Sequence, residues 1–171
     1  MRIALHHRNL LDVEADTLAL PVDGSAPGLE GRIARQFMAR LGVQDMHELY
    51  APPPYYPFNG DCHWNNLAPF ADKTHFRYLC ALGMLSHDPE AKHEGYIASA
   101  FGRMIGLAFM DPGMGEHIAC PVLTGGNRID YVSAVYLMLK EIEETRNTGV
   151  TVHIAEADAE RFEVLQSIVG G

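Results

Sequence analysis

The spacing of apolar residues in this chain alternates between two periods. Residues 2–6, RIALH, form a short run that reads as a first strand. Residues 16–22, DTLALPV, form a stronger run that ends at Pro21 and the breaker pair Asp23-Gly24. The period then lengthens. Leu29, Ile33, Phe37 and Leu41 recur at helical spacing, predicting a helix over 29–42 with Gly42 as its C-cap. Residues 75–85 read as a buried strand. Over 88–110, Tyr96, Ile97, Ala100, Phe101, Met104, Ile105 and Ala108 keep a helical period. A strand over 117–123, a helix over 129–147, a strand over 150–156 and a helix over 158–169 complete the chain. The Pro-, Asn- and aromatic-rich region 43–74 reads as a long loop or one irregular strand.

Strands alternating with helices predict an α/β domain, with helices on both faces of a mostly parallel sheet. The 171 residues correspond to one domain over 1–171. A 47% hydrophobic and 20% charged composition is ordinary for a globular chain. The formal charge of −9 argues against a nucleic-acid partner, which needs a basic face, yet it permits a small anion in a locally positive pocket. Cys62, Cys80 and Cys120 are far apart and follow no metal-binding or disulfide spacing, which fits reduced thiols in a cytoplasm. MRIALHHRNLL is too short and too polar to read as a signal peptide, and no apolar run has the length of a membrane span. No membrane partner, metal or cofactor is expected.

Two loops carry the candidate chemistry. Ligands of open α/β sheets bind beyond the carboxyl ends of the strands. Residues 22–31, VDGSAPGLEG, and 123–128, LTGGNR, both leave strands and lead toward helices. A helix start presents unpaired N–H groups and the positive end of the macrodipole, and glycine lets a ligand approach the backbone. Gly125 and Gly126, with the Thr124 hydroxyl, the Asn127 amide and Arg128, thus make a candidate phosphate cradle. The plainer account is a strand-to-helix turn. Asp23, Gly24, Gly28, Glu30 and Gly31 surround the other helix start, where Glu30 could simply complement the dipole. Facing each other across a cleft, the two loops could hold a diphosphate.

The order of these motifs resembles that of a macrodomain. RNLLDVEADTLALPVDG has the spacing of the family's first strands, GLEGRIARQF resembles the helical end of its glycine loop, and HIACPVLTGG resembles its later strand and phosphate loop. TVHIAEADAERFEVLQSIV fits the last strand and helix, while 43–74 does not align. The resemblance implies a three-layer α/β/α fold with a mixed, mostly parallel central sheet. It implies binding of ADP-ribose or a related nucleotide, or of an ADP-ribosylated protein, and hydrolysis of ADP-ribosyl linkages in a catalytic member. Asn9 falls at the adenine-binding position, usually aspartate. Asp23 falls at an asparagine that holds the distal ribose, and Leu20 replaces another asparagine. Glu30 falls at an acidic position that assists hydrolysis in some members, which makes Asp23 and Glu30 the candidate catalytic pair. Thr124, Gly125 and Gly126 fall at the phosphate loop. Ala157 stands where an aromatic often stacks on adenine. Asp23 would need a compensating cation near phosphate, from Arg32 or Arg128. The alternative is a macrodomain-shaped scaffold that works through protein contacts, with the aromatics of 50–70 as its surface.

The spacing Asp61-Cys62-His63 with His75 is not a ligand pattern, and Cys120 reads as a small buried hydrophobe.

Overall fold

The computed structural model describes residues 2–24, 31–49, 58–86, 88–110, 115–145 and 149–171. Gly28 and Glu30 lie outside the described residues, as do Tyr50, Tyr55 and Tyr56. Six strands, β1 (Arg2–His6), β2 (Thr17–Asp23), β3 (Cys62–Asn66), β4 (Tyr78–Leu85), β5 (His117–Pro121) and β6 (Thr151–Ala155), form one sheet in the order β1-β6-β5-β2-β4-β3. All pair in parallel except β3, which lies antiparallel on β4 at the edge. The helices are α1 (Arg32–Leu41), α2 (His93–Met110), α3 (Tyr131–Glu144) and α4 (Ala159–Val169). The predicted α/β class and alternation are therefore present, and the irregular strand of the 43–74 region is β3.

Burial follows from position in the sheet. β4 is covered on both faces, so nearly all of YLCALGML is buried rather than alternating. At the edge, β3 carries Asn65 and Asn66. One core packs Ile97, Phe101, Met104, Met138, Ile142 and Leu165 of α2, α3 and α4 against one face. The second packs Phe37 and Leu41 of α1, with Leu11 and Phe76, against Leu18, Leu20 and Leu79 on the other face. Each such fully buried side chain contributes about 1.5–3 kcal/mol of transfer free energy. Phe37 and Leu41 of the predicted stripe reach this core, and Gly42 ends α1 at φ 72°, where glycine carries no steric penalty.

The β2–β5 seam is short. Only Thr17 with Ile118 and Leu18 with Ala119 pair across it, while β5 pairs with β6 as far as Pro121 with Ala155. Pro21 and Pro121 bring no N–H to the unpaired half of this seam. The sheet therefore opens toward its carboxyl end between β5 and β2. Among the described residues no helix is long and apolar enough to cross a membrane.

Candidate functional site

A cleft of about 500 Å³ lies at the carboxyl ends of β1, β6 and β5 and reaches across the open seam to α1. Each wall comes from the segment that leaves one strand. Arg8, Asn9 and Leu10 follow β1, Val122 and Thr124 follow β5, and Glu156, Ala157 and Asp158 follow β6. Arg32, Ile33 and Gln36 of α1 face them, with Tyr131 of α3 and Arg161 of α4 at the side.

The α1 end is built for an anion. Gly31 is the N-cap and makes no side-chain capping bond, and the first turn of α1 has no acidic residue. Among the described residues no side chain is recorded accepting the first-turn amides, and Arg32 stands with them. A Cβ on Gly31 would meet nothing within 4 Å, so the approach is open.

The β6 end differs. Glu156 Oε1 accepts the Asp158 N–H at 2.9 Å, and Asp158 caps α4 by accepting the Arg161 N–H at 2.9 Å. The Arg161 guanidinium lies 5.4 Å from the centre of the Tyr131 ring. Tyr131 Oη is buried beside the Glu156 carboxylate. Burial first, and then the Glu156 charge, push this phenol well above its ordinary range, so it stays a neutral donor. Flat surfaces and two carboxylates make this end hostile to phosphate and suited to a polar ring.

The glycine loop after β5 spends much of its hydrogen-bonding capacity internally. Gly125, Gly126 and Asn127 hold φ values of 63°, 70° and 65°. Thr124 O accepts from Arg128 N at 3.0 Å and Ile129 N at 3.1 Å, and Thr124 Oγ1 accepts from Asn127 N at 3.2 Å. The Arg128 guanidinium donates to Gly125 O at 2.8 Å. α3 starts at Tyr131 rather than near Ile129, and Asp130 caps it by accepting the Ser133 N–H at 3.0 Å. α3 therefore begins under its own carboxylate cap, while none of these bonds uses the Gly125 or Gly126 N–H. The left-handed turn accounts for the glycines.

Of the predicted positions, Asn9 and Thr124 line the cleft. The Asn9 side chain also caps the 3-10 turn Leu10–Asp12, accepting the Leu11 N–H at 2.9 Å. Gly31 sits beside the cleft as the cap of α1. Asp23 is only 2% exposed at the end of β2, and Gly24 N donates to Asn59 Oδ1 at 3.1 Å. Gly125, Gly126, Asn127 and Arg128 stand behind Thr124 in the turn just described. Arg8, Gln36, Tyr131, Glu156 and Arg161 were not anticipated. Arg8 follows a predicted strand and Glu156 is the last residue of another, a signal the sequence did offer. Cys120 is buried in β5, and burial pushes its thiol up to about 12, as an inert core residue.

No family model matches the sequence, and no curated protein matches it. Solved structures do. A Trypanosoma brucei macrodomain in complex with ADP-ribose superposes with a TM-score of 0.67 at 14% identity, over 99% of this chain and 69% of that one. An Oceanobacillus iheyensis macrodomain variant with ADPR gives 0.69 at 12% identity, over 98% of this chain and 90% of that one. This is a macrodomain fold. An alphavirus P23pro-zbd structure contains the same arrangement, with a TM-score of 0.71 at 13% identity over 99% of this chain. The chain spans only 23% of that viral protein's length. The macrodomain fold places the open sheet end, and hence the cleft, where α/β sheets take their ligands.

Proposed function

We propose that the cleft binds ADP-ribose or a closely related nucleotide. The observation that carries this reading is the chemical polarity of the cleft. The first-turn amides behind the Gly31 cap and Arg32 lie at the α1 end, and the Tyr131–Arg161 pair with Glu156 lies at the other. A diphosphate belongs at the first end, where N–H groups and a guanidinium converge. A base belongs at the second, where carboxylates repel phosphate and Tyr131 Oη and Glu156 can meet the edge of a ring. The neighbours solved with ADP-ribose and ADPR support the ligand class. Calorimetric titration with ADP-ribose tests it. Saturable binding that weakens about tenfold or more in Arg32→Glu, on the order of 1.4 kcal/mol, is expected. The absence of binding at millimolar ligand overturns the reading and favours a scaffold that acts through protein contacts.

Hydrolysis is the finer reading, and the buried Asp23 carboxylate at the end of β2 is what favours it. A carboxylate there could position or deprotonate an attacking water at the distal ribose, with Glu30 as the second acid. Release of ADP-ribose from an ADP-ribosylated protein, lost in Asp23→Asn while ADP-ribose binding persists, is the expected result. No release by the parent protein identifies a binding module.

A further inference from the structure

We propose that His6, His153 and His117 form a tautomer relay, in which the three imidazoles share one N–H direction and protonation of His117 converts His6 Nδ1 from an acceptor into a donor. The three rings come from neighbouring strands: the last residue of β1, the middle of β6 and the first residue of β5. The register pairs His153 with Ala4 and with Ala119, so His6, His153 and His117 project from the same sheet face. That face is lightly covered here, since α1 packs on β2 and the Leu10–Asp12 turn on β5.

His6 Nε2 lies 2.8 Å from His153 Nδ1, and His153 Nε2 lies 2.9 Å from His117 Nδ1. The ring centres are 5.0 Å and 5.1 Å apart. Those separations match the N···N distances plus two ring radii, so each N···N line runs nearly through the ring centres. This is the linear arrangement a strong hydrogen bond prefers. A neutral imidazole has one N–H and one bare nitrogen. With both nitrogens of His153 engaged, the chain has two self-consistent states. In one, His6 donates to His153, which donates to His117, and His6 Nδ1 is bare. In the other, every bond is reversed and His6 Nδ1 carries the proton. A cationic His117 has N–H at both nitrogens, so it permits only the second state.

The middle ring stays neutral. Burial, and then the flanking histidines, hold His153 down to about 4, so it passes on orientation without becoming charged near neutrality. Charged groups on the surrounding elements are Arg2 and Arg8 around β1, Asp12 of the 3-10 turn, Glu116 before β5, Glu156 after β6, and Asp16 before β2, whose N–H donates to His117 O at 3.0 Å and whose carboxylate lies 3.9 Å from Arg77. Asp12 is held by Arg40 at 3.1 Å. Burial, and then the Arg8 cation, lower His6, so that ring too disfavours the cationic form. Arg8 also lines the cleft, two residues beyond His6 in the chain.

Imidazole 15N chemical shifts through a pH titration test the relay. The expected result is that His6 exchanges its protonated nitrogen with the midpoint of His117, and that His117→Ala, exposed and tolerated by the backbone amide spectrum, leaves His6 in one tautomer throughout. In the parent protein, scalar coupling across both N···N pairs is expected as well. A His6 tautomer that ignores the His117 titration, an unchanged switch in His117→Ala, or absent coupling overturns the proposal.

Discussion

The Asp130 carboxylate accepts the Ser133 backbone N–H at 3.0 Å and also the Ser133 hydroxyl. These bonds to the ionised form hold Asp130 below the usual carboxylate range. They also place a negative charge where a phosphate would otherwise sit at α3. Asp130→Ala is therefore expected to lower the melting temperature while leaving ADP-ribose affinity within about twofold. Asp130→Asn, still a good cap, should retain the parent stability. A large loss of affinity in Asp130→Ala at unchanged stability would return the anion site to the second loop.

The Arg161 guanidinium over Tyr131 gives the β6 end a planar cation that a base can stack on. Stacking on a base contributes about 1–3 kcal/mol. Arg161→Ala should weaken ADP-ribose binding roughly fivefold to a hundredfold. Ribose 5-phosphate, which has no base, should be unaffected. Arg161→Tyr should recover most of the loss, whereas Arg161→Lys should not. Equal losses for both ligands would mean that Arg161 meets phosphate instead.

Acid sensitivity follows from His153. Its folded pKa, about 4, lies below the ordinary 6.5. Between those values the unfolded chain takes up a proton that the folded chain refuses, so stability rises with pH across this window. The contribution is fully present above about 6.5 and is lost as the pH falls toward 4. Denaturation midpoints measured over this range should fall with acid in the parent protein and flatten in His153→Gln. Parallel curves would assign the slope to other groups.

Gly126 holds φ +70°, and a Cβ there would lie 2.8 Å from Arg128 Nη1. Left-handed backbone costs a residue with a Cβ about 1–2 kcal/mol. Gly126→Ala is expected to lower stability by about that amount and to loosen the Arg128 bond to Gly125 O. Urea unfolding of the variant measures this, and an unchanged midpoint would show that the turn relaxes freely.

The fold was legible because period and punctuation agreed. DTLALPV and HIACPVL, each a run of apolar residues cut by proline, became the central strands β2 and β5. Gly42 marked the end of α1. The edge strand β3 was legible only as one of two alternatives and without bounds, since CHWNN lacks the apolar density of a strand buried on both faces and takes its pairing from β4. Within the site, Asn9 and Thr124 were readable from their places after strands. The division of labour between the loops was not. Thr124 takes the Asn127, Arg128 and Ile129 amides and Asp130 takes the Ser133 amide, and hydrogen bonds of that kind are decided by three-dimensional geometry. Tyr131 and Arg161 were hidden for a related reason: α3 and α4 bring them together from thirty residues apart.

The unstitched seam between β5 and β2 has a mechanical consequence. Pro21 and Pro121 leave the upper half of that boundary without shared ladder bonds. The α1 wall, which follows β2, and the wall carried by β5 and β6 can move apart or together without rupturing any strand pairing. Widening that boundary would cost the packing of buried side chains such as Leu20 and Cys120, but no ladder bond.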